Sequence, residues 1–172
     1  MDDPDTMALL ADLLRSEMGF PTDPKDPRVV IYNTNWDVPN TSHLYVVLGV
    51  LSDDEFGGGL SYVNDPVTGV LNSQQVLERN TTYTVDLVSV TDEARRRRQE
   101  VFFSLQGDAA ERLSGTYSFR IFRPTPFIDL SQIEASRRLN RWQTQFQVYQ
   151  GFAQTKAVPS MFPRGLKSEI QP

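Results

Sequence analysis

The chain has 172 residues, 39% hydrophobic and 23% charged, with a formal net charge of −5 and no cysteine. That length suffices for one domain with a core of its own. No run approaches the ~18 apolar residues of a membrane span, disulfides and thiolate chemistry are excluded, and the acidic balance argues against a nucleic-acid-binding domain.

Residues 1–19 carry Met7, Leu10, Ala11 and Leu14 at helical spacing, broadened by Leu9 and Leu13. Asp5 or Thr6 can cap this helix and Gly19 can stop it. So apolar a helix must pack on its own sheet or on a neighbouring subunit. No basic segment followed by an apolar one opens the chain, so no secretory leader is expected. Pro21, Pro24 and Pro27 predict a stiff linker.

Residues 28–32 (RVVIY) predict a short buried strand, and residues 33–42, with Trp36 inside, predict a turn. Residues 44–51 (LYVVLGVL) are apolar on both faces, which predicts a central strand or one covered on both sides. Residues 53–59 (DDEFGGG) read as a flexible tip, and residues 64–69 (NDPVTG) as another turn. Together 44–77 predict a long hairpin or meander projecting from the body.

Tyr83, Val85 and Leu87 alternate with Thr84 and Asp86, the period of a half-buried strand. Thr91, Asp92 and Glu93 then offer a helix start. Ala94, Arg98, Val101, Phe102 and Leu105 form a stripe expected to lie on a sheet. Gly107 and Gly115 are expected to break or stop the helical region. Tyr117, Phe119 and Ile121 predict a second strand ended by Pro124 and Pro126. The reading is a strand pair covered by one helix.

Residues 129–139 read as helical or loop-like. Over 142–149 the alternation is sharp. Trp142, Thr144, Phe146 and Val148 share one face; Gln143, Gln145, Gln147 and Tyr149 share the other. Residues 156–172 hold three prolines and few apolar residues, which predicts an extended arm. The expected architecture is α+β in a single domain over 1–172. An N-terminal helix (1–19) precedes a body (20–155) with a mixed or antiparallel sheet, helices packed on it and a projecting β-hairpin. A C-terminal arm (156–172) follows.

No catalytic, metal or cofactor site is expected. His43, the sole histidine, has no accompanying nucleophile motif. Asp53, Asp54 and Glu55 lack the spacing of a calcium loop. The glycines at 57–59 precede no phosphate-binding Lys-Ser/Thr. Asp86 suits a cross-strand or intersubunit pair better than a general base. The Arg95, Arg96, Arg97, Arg98 run reads as a solvated helix face or as partners for carboxylates, with phosphate contact as the alternative. What remains is surface for assembly: edge strands, a hairpin, an apolar helix and an arm. The glutamine stripe suits either a hydrated pore wall or an ordinary exposed sheet face.

One resemblance is carried by the order of several segments: 32–39 (YNTNWDVP), 74–78 (QQVLE) leading into 83–88, 93–105 (EARRRRQEVFFSL) and 154–159 (QTKAVP). In this order the chain resembles the neck or tail-terminator (gateway-type) proteins of contractile-tailed bacteriophages. The resemblance covers about residues 30–160. It implies an α+β subunit of a homo-oligomeric ring, commonly a hexamer, that joins tail tube and sheath to the head–tail connector in the virion. DNA would pass through the lumen without specific binding, after assembly in the host cytoplasm, and no membrane, enzyme activity or cofactor is implied. It would place Gln143, Gln145 and Gln147, the 53–59 segment or Arg95, Arg96 and Arg97 at a lumen or interface. The rival readings are another tail component, such as a tube or baseplate subunit, a small ligand-binding α+β domain or enzyme, and a nucleic-acid-binding module.

Overall fold

The computed structural model describes residues 5–32, 38–39, 41–64, 68, 70–134 and 137–158, with backbone alone at 132–134, 137 and 138. In chain order it contains α1 (Thr6–Glu17), β1 (Val29–Ile31), β2 (Tyr45–Asn64), β3 (Leu71–Ser89), α2 (Glu93–Gln106), α3 (Asp108–Tyr117), β4 (Phe119–Ile121), β5 (Ile128–Asp129), β6 (Gln132–Glu134) and β7 (Arg137–Ala157). The sheet runs β1-β2-β3-β7-β4, with the short β5 and β6 also on β7. β1 lies parallel to β2 and every other pairing is antiparallel. The fold is α+β, with helices packed on a mixed sheet dominated by three long antiparallel strands.

α1 begins where the Asp5 carboxylate accepts the Met7 amide at 3.0 Å, occupying one of the amides a helix start leaves free. Its stripe of Leu10, Ala11, Leu13 and Leu14 is buried against this chain's own β1, α2 and α3. α2 buries Ala94, Val101 and Leu105. Its entry is tied down by Ser89, whose Oγ accepts the Ala94 amide at 3.1 Å. These residues meet Val46, Leu48, Tyr83, Val85, Leu87, Phe146 and Val148 in one core. Each fully buried large side chain contributes about 1.5–3 kcal/mol.

Register places every one of those strand residues on one face. Val46 is opposite Leu87 and Leu48 opposite Val85, while Val85 is opposite Thr144 and Tyr83 opposite Phe146. The three helices of the described residues therefore cover a single face of the sheet. Val47 on the other face meets Val88 and Leu139 in a second, smaller cluster. This accounts for β2 being apolar on both sides near its start.

Several expectations change. β3 and β4 are not partners, because β7 lies between them; a late strand inserted into a pair that is adjacent in sequence leaves no local signal. Residues 53–59 are not a tip but the interior of β2, paired as far as Gly59↔Val76. Gly57, at φ +73°, makes the bulge between Phe56 and Gly58, a conformation open to glycine without a Cβ clash. The β2–β3 pairing runs out to Asn64↔Leu71. Gly115 lies inside α3, which takes in Tyr117 and ends at Ser118 in the left-handed region. Gly107 does separate α2 from α3, and a Cβ there would meet the Phe103 carbonyl oxygen at 2.7 Å. Within 129–139, Asp129, Gln132–Glu134 and the start of β7 from Arg137 are strand rather than helix. β7 continues to Ala157, two residues into the expected arm, and the Val158 amide still bonds the Leu71 carbonyl at 2.8 Å. Residues 159–172 lie outside the described residues, as do Trp36 and most of the 33–42 turn.

Candidate assembly surface

The sheet face opposite the helices carries the glutamine stripe. β7 alternates as its sequence requires: Thr144, Phe146 and Val148 are buried in the core, while Gln143, Gln145 and Gln147 point to the uncovered side. Across the strands they sit in register with hydroxyls and one acid. Gln147 is opposite Thr82, Gln145 opposite Thr84 and Gln143 opposite Asp86. Asp86 is only 8% exposed. It accepts hydrogen bonds from Arg141 Nε (3.1 Å) and Nη2 (3.2 Å) and from Gln143 Nε2 (3.0 Å). The buried carboxylate is thus paired across strands, as Asp86 in that alternation called for. The row from Thr82 to Gln147 is amide and hydroxyl, groups that hydrate well, while Arg120, opposite Tyr149, and Asp54, opposite Asn80, add charge further along the same face.

Beyond the helices, β2, β3 and β7 continue as a three-stranded ribbon. Outside Ile31↔Leu48 no strand pairs the outer edge of β2, and outside Phe119↔Gln150 none pairs the outer edge of β7, among the described residues. From Leu51 to Asn64 the ribbon extends about 40 Å. Leu60 (61%) and Tyr62 (60%), with Leu51, Phe56, Val63, Leu71 and Leu77, are exposed along it. Register puts Leu60, Tyr62 and Leu77 on the same side, that of the core face. A long, apolar strand pair with open edges is what a lone protein usually blunts.

At the ribbon's base Asp53 and Glu55 pair with Arg79 rather than with solvent alone. Arg79 Nη2 donates to Glu55 Oε1 at 2.6 Å, and its Nε lies 3.6 Å from Asp53 Oδ1. The hydrogen bond to Glu55 raises the arginine's pKa further. Thr81 Oγ1 donates to Asp53 Oδ1 at 2.7 Å. Asp54 is exposed, and its register with Asn80 sets it on the opposite side. Among the described residues no group of three or more metal-ligating acids, histidines or cysteines converges. His43 is exposed, its amide donating to Thr41 Oγ1 at 3.4 Å.

One helical turn sends the four arginines in four directions. Arg95 is exposed. Arg96 pairs with Asp92 at 3.1 Å. Arg97 reaches inward: Nη2 donates to Glu100 Oε2 and to the Met18 carbonyl, both at 2.6 Å, and its guanidinium lies 4.9 Å from the Phe20 ring centroid. It satisfies a carbonyl just past α1 and joins two helices, and the Glu100 bond raises its pKa. Arg98 lies 4.3 Å from the Trp142 ring centroid. The run is not a phosphate-facing array.

Sequence reasoning missed a groove of about 720 Å³ between α2 and the proline-rich 123–127 segment. Phe102, expected in the core, stands at its wall instead, only partly buried and edge-on to Phe127 at 5.4 Å. Phe103 beside it is 74% exposed, and Arg98 and Arg123 line the same groove. The available signal was Phe103 falling outside the apolar stripe of α2.

No family model matches this chain, and no curated protein matches it.

Proposed function

We propose that the chain is a structural virion subunit, a tail-terminator or neck protein of a contractile-tailed bacteriophage. In this reading copies close into a ring, a hexamer, that joins tube and sheath to the head–tail connector and lets DNA pass. The observation that carries it is the division of the sheet into two unlike faces: helices and core on one side, and a neutral row of Gln143, Gln145, Gln147, Thr82 and Thr84 on the other. Turned inward, that row would line a lumen through which a polyanion moves without being held. The open edges of the ribbon supply strand surface for neighbours, and a heterologous contact between copies generates a closed ring when its rotation closes. Neither role requires catalysis or a cofactor.

Light scattering with negative-stain imaging of the purified chain tests this. The expected result is a closed particle of six times the 19.5 kDa chain mass, with a central hole of duplex width. Open-ended tubes would assign the chain to the tail tube instead, and a monomer at every concentration would remove self-assembly from the reading.

A further inference from the structure

The ribbon carries two bare edges, and hydrogen bonds elsewhere on the same strands fix which of their backbone groups point out. Strand residues turn their amide and carbonyl alternately to one side and the other. On β7 the Gln145 and Gln147 carbonyls accept the Thr125 and Phe122 amides, each at 2.8 Å, on the side away from β3. The same alternation turns Gly151, Ala153, Thr155 and Ala157 outward. On β3 the Leu71 carbonyl faces β7, where it accepts the Val158 amide, so Asn72, Gln74 and Val76 face β2. Their partners Val63, Ser61 and Gly59 face inward, and Gly58, Leu60 and Tyr62 face out. The two edges stand level: Phe56 and Gly151 are both opposite Glu78, Val63 and Ala157 both opposite Asn72. Neither is guarded. Residues 56–64 hold no charge and no proline, and Lys156 is the one charge in 151–157, whereas a lone protein blunts its edges with such residues. A Cβ at Gly58, Gly59 or Gly151 would meet nothing within 4 Å, and none of the three has a positive φ. Strand glycines that their own chain does not require often mark the close approach of another backbone.

β2 and β7 both run antiparallel to β3, so the two edges point the same way. A copy rotated about an axis along the strands brings one edge to the other at the same level and without reversal. We propose that the β2 edge of one copy pairs, parallel, with the β7 edge of the next and joins the ribbons into one continuous sheet. The backbone phases select this pairing. The outward residues Leu60 and Tyr62 of β2 carry their side chains on the core face, and Ala153 and Thr155 of β7 carry theirs on the glutamine face. An antiparallel junction sets outward residues opposite each other and would turn the second copy over. A parallel junction sets an outward residue opposite an inward one, and both faces continue unbroken. With no shift, Leu60 stands opposite Gln154, its amide donating to the Ala153 carbonyl and its carbonyl accepting the Thr155 amide. Tyr62 then lies beside the apolar stem of Lys156, which covers surface that one chain leaves exposed. A β2–β2 contact would stop at two copies and leave both β7 edges bare, whereas the unlike contact covers every edge once a ring closes. This inference rests on the ring reading and names the backbone that would make it.

The native chain has no cysteine, so introduced cysteines report the junction without background. Within one copy Ser61 and Thr155 flank Gln74 on either side. They are two strand spacings, about 9.6 Å, apart, beyond the ~7 Å that a disulfide spans. The full-length Ser61→Cys, Thr155→Cys double variant, mildly oxidised, is expected to give a ladder of linked chains on a non-reducing gel, up to the number in the ring. Ala153→Cys or Ala157→Cys in place of Thr155→Cys covers a shift of two residues either way, and Gln154→Cys, on the other face, should give no ladder. The proposal is overturned by no ladder from any of the three pairs or by an equal ladder with Gln154→Cys. It is overturned too if Ser61→Cys alone dimerises as fully as the double variant links, which would set β2 against β2. Thr155→Pro removes one outward amide. It is expected to keep the parent's circular dichroism and melting temperature and to fall to the mass of one chain, while Thr155→Val, which keeps the amide, assembles. Assembly of Thr155→Pro like the parent would count equally against the junction. The wild-type particle, imaged alongside, separates the two ideas. A closed ring without the ladder removes the edge junction and leaves the ring. The ladder with open filaments keeps the junction and removes the ring.

Discussion

At the scale of single residues, burial decides which side chains matter to the fold. Tyr83 stacks on Phe146 at 5.5 Å between ring centroids and is 5% exposed. Burial disfavours the phenolate and raises its pKa above the ordinary tyrosine value, which is about 10. A folded-state pKa raised in this way contributes stability that is complete below the unfolded value and is lost as pH rises through the folded one. Tyr83→Phe removes the ionisable group and keeps the ring. Urea unfolding at neutral pH and again above pH 10 is therefore expected to show a shallower alkaline loss in the variant than in the parent. Identical losses would mean that Tyr83 does not titrate with unfolding. Asp86 illustrates the same rule for charge, since its near-complete burial is tolerated because Arg141 and Gln143 supply three donors.

At the scale of elements, body and ribbon obey different requirements. The body strands are held by helices on one face, and α1 is fastened to α2 through Arg97 and the Met18 carbonyl. The distal ribbon has cross-strand pairs and no helix over it. Its exposed apolar residues therefore add little to folding. A Leu60→Ser, Tyr62→Ser double variant is expected to unfold within about 0.5 kcal/mol per site of the parent, while its particle mass by light scattering falls towards that of one chain. A large fall in stability with assembly intact would show that these side chains serve the fold and not a partner.

At the scale of the whole molecule, charge is segregated more than its net value of −5 reveals. The arginines nearest to a basic patch are committed elsewhere, Arg96 to Asp92, Arg97 to Glu100 and Met18, Arg98 to Trp142. Against a net charge of −5 the cations outside these pairings are outnumbered by acids, so counterion release is small and duplex DNA should not be retained. A mobility-shift titration at low and moderate salt is expected to show no complex; a complex that weakens steeply with salt would favour the nucleic-acid-binding rival.

What the sequence determined by itself is periodicity and composition. Two-residue alternation at Tyr83–Val85–Leu87 and at Thr144–Phe146–Val148 assigned the strands and the core face of each, because a pleated strand turns successive side chains to opposite sides. Helical spacing did the same for α1 and for Ala94, Val101 and Leu105 of α2. The apolarity of β2 on both faces already implied two layers of contact, which Val46 and Val47 make with different clusters. Tertiary structure alone decided the rest. Insertion of β7 between β3 and β4 depends on pairing between residues some sixty apart, such as Val85 with Thr144, and no local pattern encodes it. The same pairing carries the acidic, glycine-containing 53–59 stretch through the middle of a strand, since β3 supplies partners that override its turn composition. The groove arises only because the 123–127 segment folds back beside α2, leaving Phe102 at a wall and Phe103 in the open. Long-range contacts, and not local propensity, fixed which surfaces this chain leaves for others.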